Sequence, residues 1–286
     1  MTACFNSTTT PQIELWFGGD VHLGSSSHRQ FNELNSVLTG AIGFINLEGP
    51  VSESSVSSDK LTLINAPASL TELLATGVSL VGVANNHAVD AGQAGVESTI
   101  QALRAAGLQP VGGPAGYAIF SYNGLRLVFT AHDLTVGVPA ELANELVTAR
   151  NQGDLLIATF HTTGVASYLP QPVLQQAVSI ALAAGATIIV AHGSHALGPV
   201  ERKGEAVIAW GLGNLAFNCD CTNETDAIIL RVSLSQKRAL TVKVIPIEAG
   251  LVGQPARLAR QPDAIIDLLE AIGSTKLTRF SQYATF

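Results

Sequence analysis

The chain predicts a mixed α/β fold on three observations. Apolar runs of strand length alternate with helix-period segments along most of its 286 residues, the rhythm of βαβ units. Only 13% of the residues are charged while 47% are hydrophobic, which suits strands covered on both faces, since such strands have no solvated side to alternate with. Two strand pairs interrupt the rhythm, one of them turning at Asn123-Gly124, a strong hairpin signal, so antiparallel strands are mixed in.

Taken in order, Ile13, Leu15, Trp16 and Phe17 read as a short buried strand of β-favouring side chains that breaks at Gly18 and Gly19. A helix over 31–38 leads to a strand over 42–47, and "VSESSVSS", 51–58, is the most flexible-looking loop. Helices over 69–76 and 97–106 flank a strand over 78–84, and the hairpin pairs 118–122 with 125–131. Helices over 141–150 and 173–184 alternate with strands over 155–160 and 187–191, several helices ending near glycine. A strand over 207–210 precedes Gly211, 228–234 pairs with 240–247, and a last helix over 264–272 follows Pro262 and Asp263. No repeat, low-complexity block or Pro/Gly/Ser-rich linker divides the chain, so one domain is expected over 1–286, with 1–12 as a loose polar lead-in.

Bulk properties exclude several functions. The formal charge is −7 and the basic residues are scattered, so neither nucleic acid nor an anionic membrane is expected as a partner. The start, "MTACFNSTTTPQ", has no basic n-region or apolar h-region, and the most apolar long stretch, 177–191, is too short to span a bilayer. A soluble, cytoplasmic protein is the expectation. Three cysteines, Cys4, Cys219 and Cys221, make no disulfide framework, and Cys219-Asp220-Cys221 reads as an ordinary loop more readily than as a metal clip. Oligomeric state is not encoded in any of these features.

Chemistry concentrates at strand ends. "FGGDVHLG", 17–24, presents Asp20 and His22 one residue apart just past a strand. The same grammar repeats at Glu48 in "INLEGP", at Asn85, Asn86 and His87 in "VANNHAVDAG", at His161 in "FHTTG", and at His192 and His195 in "AHGSHALG". Carboxyl-terminal strand ends share one edge of an α/β sheet, so groups distant in sequence would converge there. Carboxylates, imidazoles and an amide carbonyl suit divalent Mn, Fe or Zn. Singly each has a bland reading, a surface histidine, a turn asparagine, a solvated loop acid; their conjunction at five strand ends is far harder to attribute to accident. His28 and His132 fall outside the pattern, although His132-Asp133 is placed to line the pocket.

These residues resemble a known family. Asp20-x-His22, Asn46-Leu47-Glu48, Asn85-Asn86-His87-x-x-Asp90-x-Gly92, His192-x-x-His195 and Gly211-Leu212-Gly213-Asn214 look like the CapA family of bacterial capsule and poly-γ-glutamate synthesis, itself similar to calcineurin-like metallophosphoesterases. The resemblance covers roughly residues 13 to 250. It implies a mixed two-sheet β sandwich flanked by helices and a two-metal site. By that resemblance Asp20, His22 and His195 would hold one divalent ion, Asn86, His161 and His192 the second, and Glu48 would bridge them. His87 would protonate the leaving group and Asp90 would fix its tautomer. Glu201 matches a recurring family position without a derivable role.

Three departures bear on substrate choice and on the ligand set. Relatives usually carry His-Trp-Gly followed by Glu, where this chain has His161-Thr162-Thr163-Gly164-Val165. His192 and His195 are spaced by two residues where the wider superfamily has one, so one of them is a candidate to stand behind the metal rather than on it. The N-terminal membrane anchor of capsule-linked relatives is missing from the sequence, which favours a small-molecule or peptide substrate. Gly112-Gly113-Pro114-x-Gly116 is not a P-loop, and Gly24-Ser25-Ser26-Ser27 is not a nucleophile elbow. The Gly211–Asn214 segment reads either as an exposed turn offering N–H groups to an anion or as a tight turn that needs glycine. The leading expectation is a dinuclear metal hydrolase of phosphoesters. The alternatives are a metal-dependent enzyme acting on an amide, γ-glutamyl or polyglutamate-like substrate, and a non-catalytic binding component of a polymer or natural-product assembly system.

Overall fold

A computed structural model describes residues 13–25, 29–53, 60–163, 166–235 and 240–286. The lead-in 1–12, His28, most of the 51–58 loop and Gly164-Val165 lie outside the described residues. The strands are β1 (Ile13–His22), β2 (Ile42–Leu47), β3 (Val78–Gly82), β4 (Gln109–Val111), β5 (Ala118–Tyr122), β6 (Leu125–Asp133), β7 (Leu155–His161), β8 (Ala186–His192), β9 (Val200–Lys203), β10 (Ala206–Ala209), β11 (Asn214–Phe217), β12 (Asp226–Leu234), β13 (Leu240–Glu248), β14 (Arg257–Leu258), β15 (Thr278–Arg279) and β16 (Ala284–Thr285). The helices are α1 (Asn35–Leu38), α2 (Leu70–Leu74), α3 (Gly92–Ala105), α4 (Leu142–Arg150), α5 (Pro172–Ala183) and α6 (Pro262–Ile272).

The strands form two mixed sheets. One runs β15-β16-β13-β12-β1-β2-β3-β4, with β11 also on β1 and β14 on β13; the other runs β5-β6-β7-β8-β10-β9. Side-chain alternation assigns each face. Along β1, Ile13, Leu15 and Phe17 enter the core between the sheets together with Phe129, Ile157 and Val190, whereas Trp16 joins Ile45, Leu34, Leu38, Leu73 and Leu103 under the helices of the first sheet. In β7, Ile157 faces the inter-sheet core while Leu156 and Ala158 pack against Leu142 and Leu146 of α4 and Ala177 and Val178 of α5. The two-sheet sandwich flanked by helices is therefore what the chain adopts.

The two glycines that end the first apolar run have a topological cause. β1 does not break there as expected but continues to His22. Over Ile13 to Phe17 its neighbour is antiparallel β12; from Asp20 to His22 the same side is taken by parallel β11. At the exchange the Gly213 carbonyl crosses β1 so closely that a Cβ on Gly19 would stand 1.8 Å from that oxygen, and the Asp20 N–H donates to it at 3.2 Å. Gly19→Ala is expected to destabilise the protein by about 3 kcal/mol, the upper end of overpacking, because the obstacle is backbone. Urea unfolding would show an unchanged midpoint if the crossing were looser than this.

Several boundaries differ from expectation. α3 begins at Gly92 rather than at 97, β3 stops at Gly82, β6 runs on to Asp133, and β7 and β8 each include the histidine expected just after them. The short β4, containing Pro110, and the two-residue β14 to β16 carry too little pattern to be read beforehand. Cys219 and Cys221 lie side by side in the loop after β11, with Cα atoms 5.2 Å apart. Among the described residues no helix is long and apolar enough to cross a membrane.

The sandwich brings both carboxyl-terminal strand edges to one place. Phe44 of β2 stacks on Phe129 of β6 with centroids 6.1 Å apart and planes 7° from parallel, and its ring also lies 6.1 Å from that of His192. An aromatic floor thus joins the sheets below the polar groups.

Candidate metal centre

Asp20, near the end of β1, is 1% exposed and held from several sides. Its Oδ1 accepts the Asn46 amide at 2.8 Å and its Oδ2 the Gly193 N–H at 2.8 Å. Nδ1 of His192 lies 3.6 Å from Oδ1, and Nδ1 of His195 lies 3.6 Å from Oδ2. Burial opposes ionisation of this carboxyl, but His195, His192, His161 and the Gly193 amide outweigh it and hold the acid below the ordinary aspartate range.

Glu48, which follows β2, is fully buried, and neither side-chain oxygen has a hydrogen-bond partner. Its backbone N–H donates to Val21 at 2.8 Å, which ties it to β1. Asn65 locks the same corner: its amide donates to the Glu48 and Gly49 carbonyls at 2.8 and 3.0 Å while its Oδ1 accepts the Leu23 N–H at 2.7 Å. Burial, then Asp20 and Asp90, push the Glu48 carboxyl well above the usual glutamate range. A carboxylate there needs a cation.

The histidines arrive from the second sheet. His161 and His192 end neighbouring strands in direct register. His161 Nε2 lies 2.7 Å from Asn86 Oδ1, and its Nδ1 lies 3.2 Å from the Asn46 amide nitrogen. Neither nitrogen of His192 has a hydrogen-bond partner. Burial holds both rings neutral, that of His161 with its pKa pushed down to about 4, and a neutral imidazole is the metal-binding form. Gly193 turns the chain with φ +84°, where a Cβ would sit 1.8 Å from the Thr162 carbonyl. His195 follows in the left-handed region at φ +53°, costly for a histidine and pointing to a functional demand. The Asn214 side-chain carbonyl accepts from its Nδ1 at 2.8 Å, leaving Nε2 facing Glu48 Oε1 at 3.8 Å. That separation is too long for a hydrogen bond yet short enough for two ligands of one cation with bonds of about 2.0–2.2 Å. One ligand atom each from Asp20, Glu48 and His195 lies within 4.8 Å of the others, a group able to hold a divalent metal.

His22 is set apart from that trio. Its buried ring faces the Glu48 backbone and is within electrostatic reach of His87 and Asp90; burial pushes its pKa down to about 4, and its Nδ1 has no partner. His87 Nδ1 and Asp90 Oδ2 are 2.7 Å apart, and the same oxygen accepts the Leu63 N–H at 2.8 Å, so Asp90 is fixed before it orients the ring.

Three side chains that sequence reasoning left without a role emerge here. Asn46 supports Asp20 and His161 and accepts from Asn85 at 3.2 Å. Asn214 orients His195, and Asn65 holds the Glu48 corner. Asn46 and Asn214 stand inside conspicuous motifs, whereas nothing around Asn65 in "LTLINAPAS" marks it. The Gly211–Asn214 turn is buried rather than exposed, and its glycines serve close packing against Ala196, Gly198 and Ala227, so the anion-binding reading of it is corrected. Glu201 accepts the Trp210 indole N–H at 2.8 Å, a structural use for that position.

Residues 14–219 match the family described as "Bacterial capsule synthesis protein PGA_cap". The chain is 27% identical over 194 residues to the PGA biosynthesis protein CapA of Bacillus subtilis, covering 59% of this chain and 50% of that one. It is 24% identical over 196 residues to the capsule biosynthesis protein CapA of Bacillus anthracis, covering 60% and 48%. It thus spans about half the length of the curated relatives it matches. A solved Staphylococcus aureus structure, described as a candidate 5'-nucleotidase in complex with alpha-ketoglutarate, superposes with a TM-score of 0.51 at 11% identity, covering 91% of this chain and 58% of that one. At that identity the likeness concerns the fold, which is metallophosphoesterase-like.

Proposed function

The chain belongs to the bacterial capsule synthesis protein family PGA_cap, and from that membership and its buried donor cluster we propose that it is a metal-dependent phosphoester hydrolase using two divalent cations. One observation carries the reading. Both oxygens of Glu48 and both nitrogens of His192 are buried without a hydrogen-bond partner, in the middle of groups delivered by β1, β2, β3, β7 and β8. Unpaired buried polar atoms cost free energy unless something absent from the polypeptide satisfies them, and this donor set of carboxylate, imidazole and amide fits Mn, Fe or Zn.

Asp20, His22 and His195 would hold one ion and Asn86, His161 and His192 the other, with Glu48 shared. Such ions supply, when bound, Lewis-acid polarisation of a phosphoryl group and charge for an in-line displacement. The chain's own residues do the rest. Asp90 receives the His87 Nδ1–H, leaving Nε2 to carry the proton for a leaving oxygen. Asn46 presents Asp20 and positions the His161 ring, Asn214 accepts the Nδ1–H of His195 and so leaves its Nε2 lone pair free, and the Phe44–Phe129 pair packs beneath them.

The decisive test measures metal content and turnover together. Elemental analysis is expected to find about two transition metals per chain, and chelation is expected to abolish cleavage of chromogenic phosphomonoesters until metal is restored. A folded protein that retains no metal would overturn the enzyme reading. Inert phosphoesters with consumption of γ-glutamyl peptides would replace the bond. Asn46→Leu, which removes support without removing a ligand, is expected to weaken metal binding about 10- to 100-fold in a chelator competition, and an unchanged affinity would remove Asn46 from the site.

A further inference from the structure

Beside the donor cluster lies a cavity of about 800 Å³. This is the size of a small-molecule site, typically about 300–1,000 Å³. The loop that carries Asn86 and His87 forms one wall through Asn85 and Val89, the end of β6 forms the floor through Thr130 and His132, and α4 with the residue before it forms the opposite rim through Glu141 and Glu145. Val89 and Tyr117, 60% and 42% exposed, add apolar surface at the mouth.

The wall chemistry has a definite sign. Asn85 Oδ1, Thr130 Oγ1 and His132 Nε2 are buried polar atoms without partners, and Asn85 and Thr130 are each only 4% exposed. His132 Nδ1 lies 3.4 Å from Glu145 Oε2, which favours the proton on that nitrogen and leaves Nε2 as an acceptor. Burial keeps this ring neutral, its pKa pushed down to about 4. Asp133, Glu141 and Glu145 add carboxylates, and among the described residues that line the cavity there is no lysine or arginine. Carboxylates therefore border an apolar space that no lysine or arginine side chain lines to neutralise an anion.

We propose that this cavity seats the non-phosphoryl part of the substrate, and that this part is an uncharged or cationic body of aromatic size carrying N–H or O–H donors, not a polycarboxylate. The assignment rests on the phosphoester reading for the group at the metals, while the cavity's preference follows from its own walls. It adjoins the site: Asn85 and Ala88, which line it, flank Asn86 and His87 in the chain, and Asp133, which also lines it, pairs with His161 of β7.

Fragment binding tests the cavity apart from the chemistry. The zinc-loaded full chain, with inorganic phosphate saturating the metals, would be titrated calorimetrically with 4-(aminomethyl)phenol and with 4-hydroxybenzoate. The ammonium fragment is expected to bind at least about fivefold more tightly, the effect of one or two partly exposed charge pairs. The double variant Glu141→Lys/Glu145→Lys, at exposed positions on the rim, is expected to reverse that order, with circular dichroism checking the fold. Equal or stronger binding of the carboxylate by the native protein, no binding of either fragment, or an unchanged ratio in a folded double variant would each overturn the proposal. The expected fragment preference in a protein that leaves phosphomonoesters intact would keep the cavity and remove the phosphoester reading. Turnover with a flat fragment ratio would do the opposite.

Discussion

Glu48→Gln is expected to cost the protein its metal and, in the same preparation, to make the metal-free fold more stable at neutral pH. The residue is fully buried with two unpartnered oxygens, and its carboxyl is pushed well above the usual range by burial, then by Asp20 and Asp90. An acid whose folded pKa lies above its unfolded one binds more protons in the folded state between the two values, so stability falls as pH rises through that window. The decline begins near the ordinary value of 4.5 and continues up to the folded pKa, at a limiting slope of about 1.4 kcal/mol per pH unit. Glutamine keeps the shape and does not titrate. His161 and His22, with pKa values near 4 in the fold, act in the opposite direction, losing stability as pH falls below the ordinary 6.5, but both proteins share that contribution and it cancels in the difference. Melting temperatures of the two metal-free proteins should therefore coincide at acidic pH and separate above it, with the variant higher. Parallel curves would mean that Glu48 is hydrated, and a full metal complement in the variant would remove it from the ligand set.

His87→Gln is expected to keep its metal and lose turnover by about 10²- to 10⁴-fold, the range for a positioned general acid. The Asp90 contact at 2.7 Å commits Nδ1, so only Nε2 is available to serve a leaving oxygen. The loss should depend on the leaving group, being small for aryl phosphates whose oxyanion departs unaided and large for alkyl phosphates that need the proton. Asp90→Asn should give a weaker version of the same pattern, since it disturbs orientation and leaves the ring in place. A loss uniform across leaving groups, or one accompanied by metal release, would assign His87 a structural use instead.

The readable and unreadable parts of the molecule separate along physical lines. Strands such as 42–47, 155–160 and 187–191 were legible because residues buried on both faces are continuously apolar, and the 123–124 turn because its geometry demands those residue types. The first turn of α3 is hard to read from sequence because "GQAG", 92–95, carries no apolar face, and the helix is held by Val96, Ile100 and Leu103 packed in the fold. At the site, residue type and position past a strand marked Asp20, Glu48, Asn86, His161, His192 and His195, since few uses other than chemistry put those side chains there. Asn65 carried no such mark, and the Gly18-Gly19 pair misled because its cause is a strand exchange more than 190 residues away in the chain.

By itself the sequence determined the longer strands and helices, the family and the chemical alphabet of the site, because periodicity and side-chain type are local properties. Only the tertiary structure decided that the two sheets pack face to face with Phe44 against Phe129, that Glu48 and His192 lose every hydrogen-bond partner, and that an acid-lined cavity opens beside them. Burial, unpaired polar atoms and the sign of a pocket wall are relations among residues far apart in the chain, and they come into being only when packing removes water from between them.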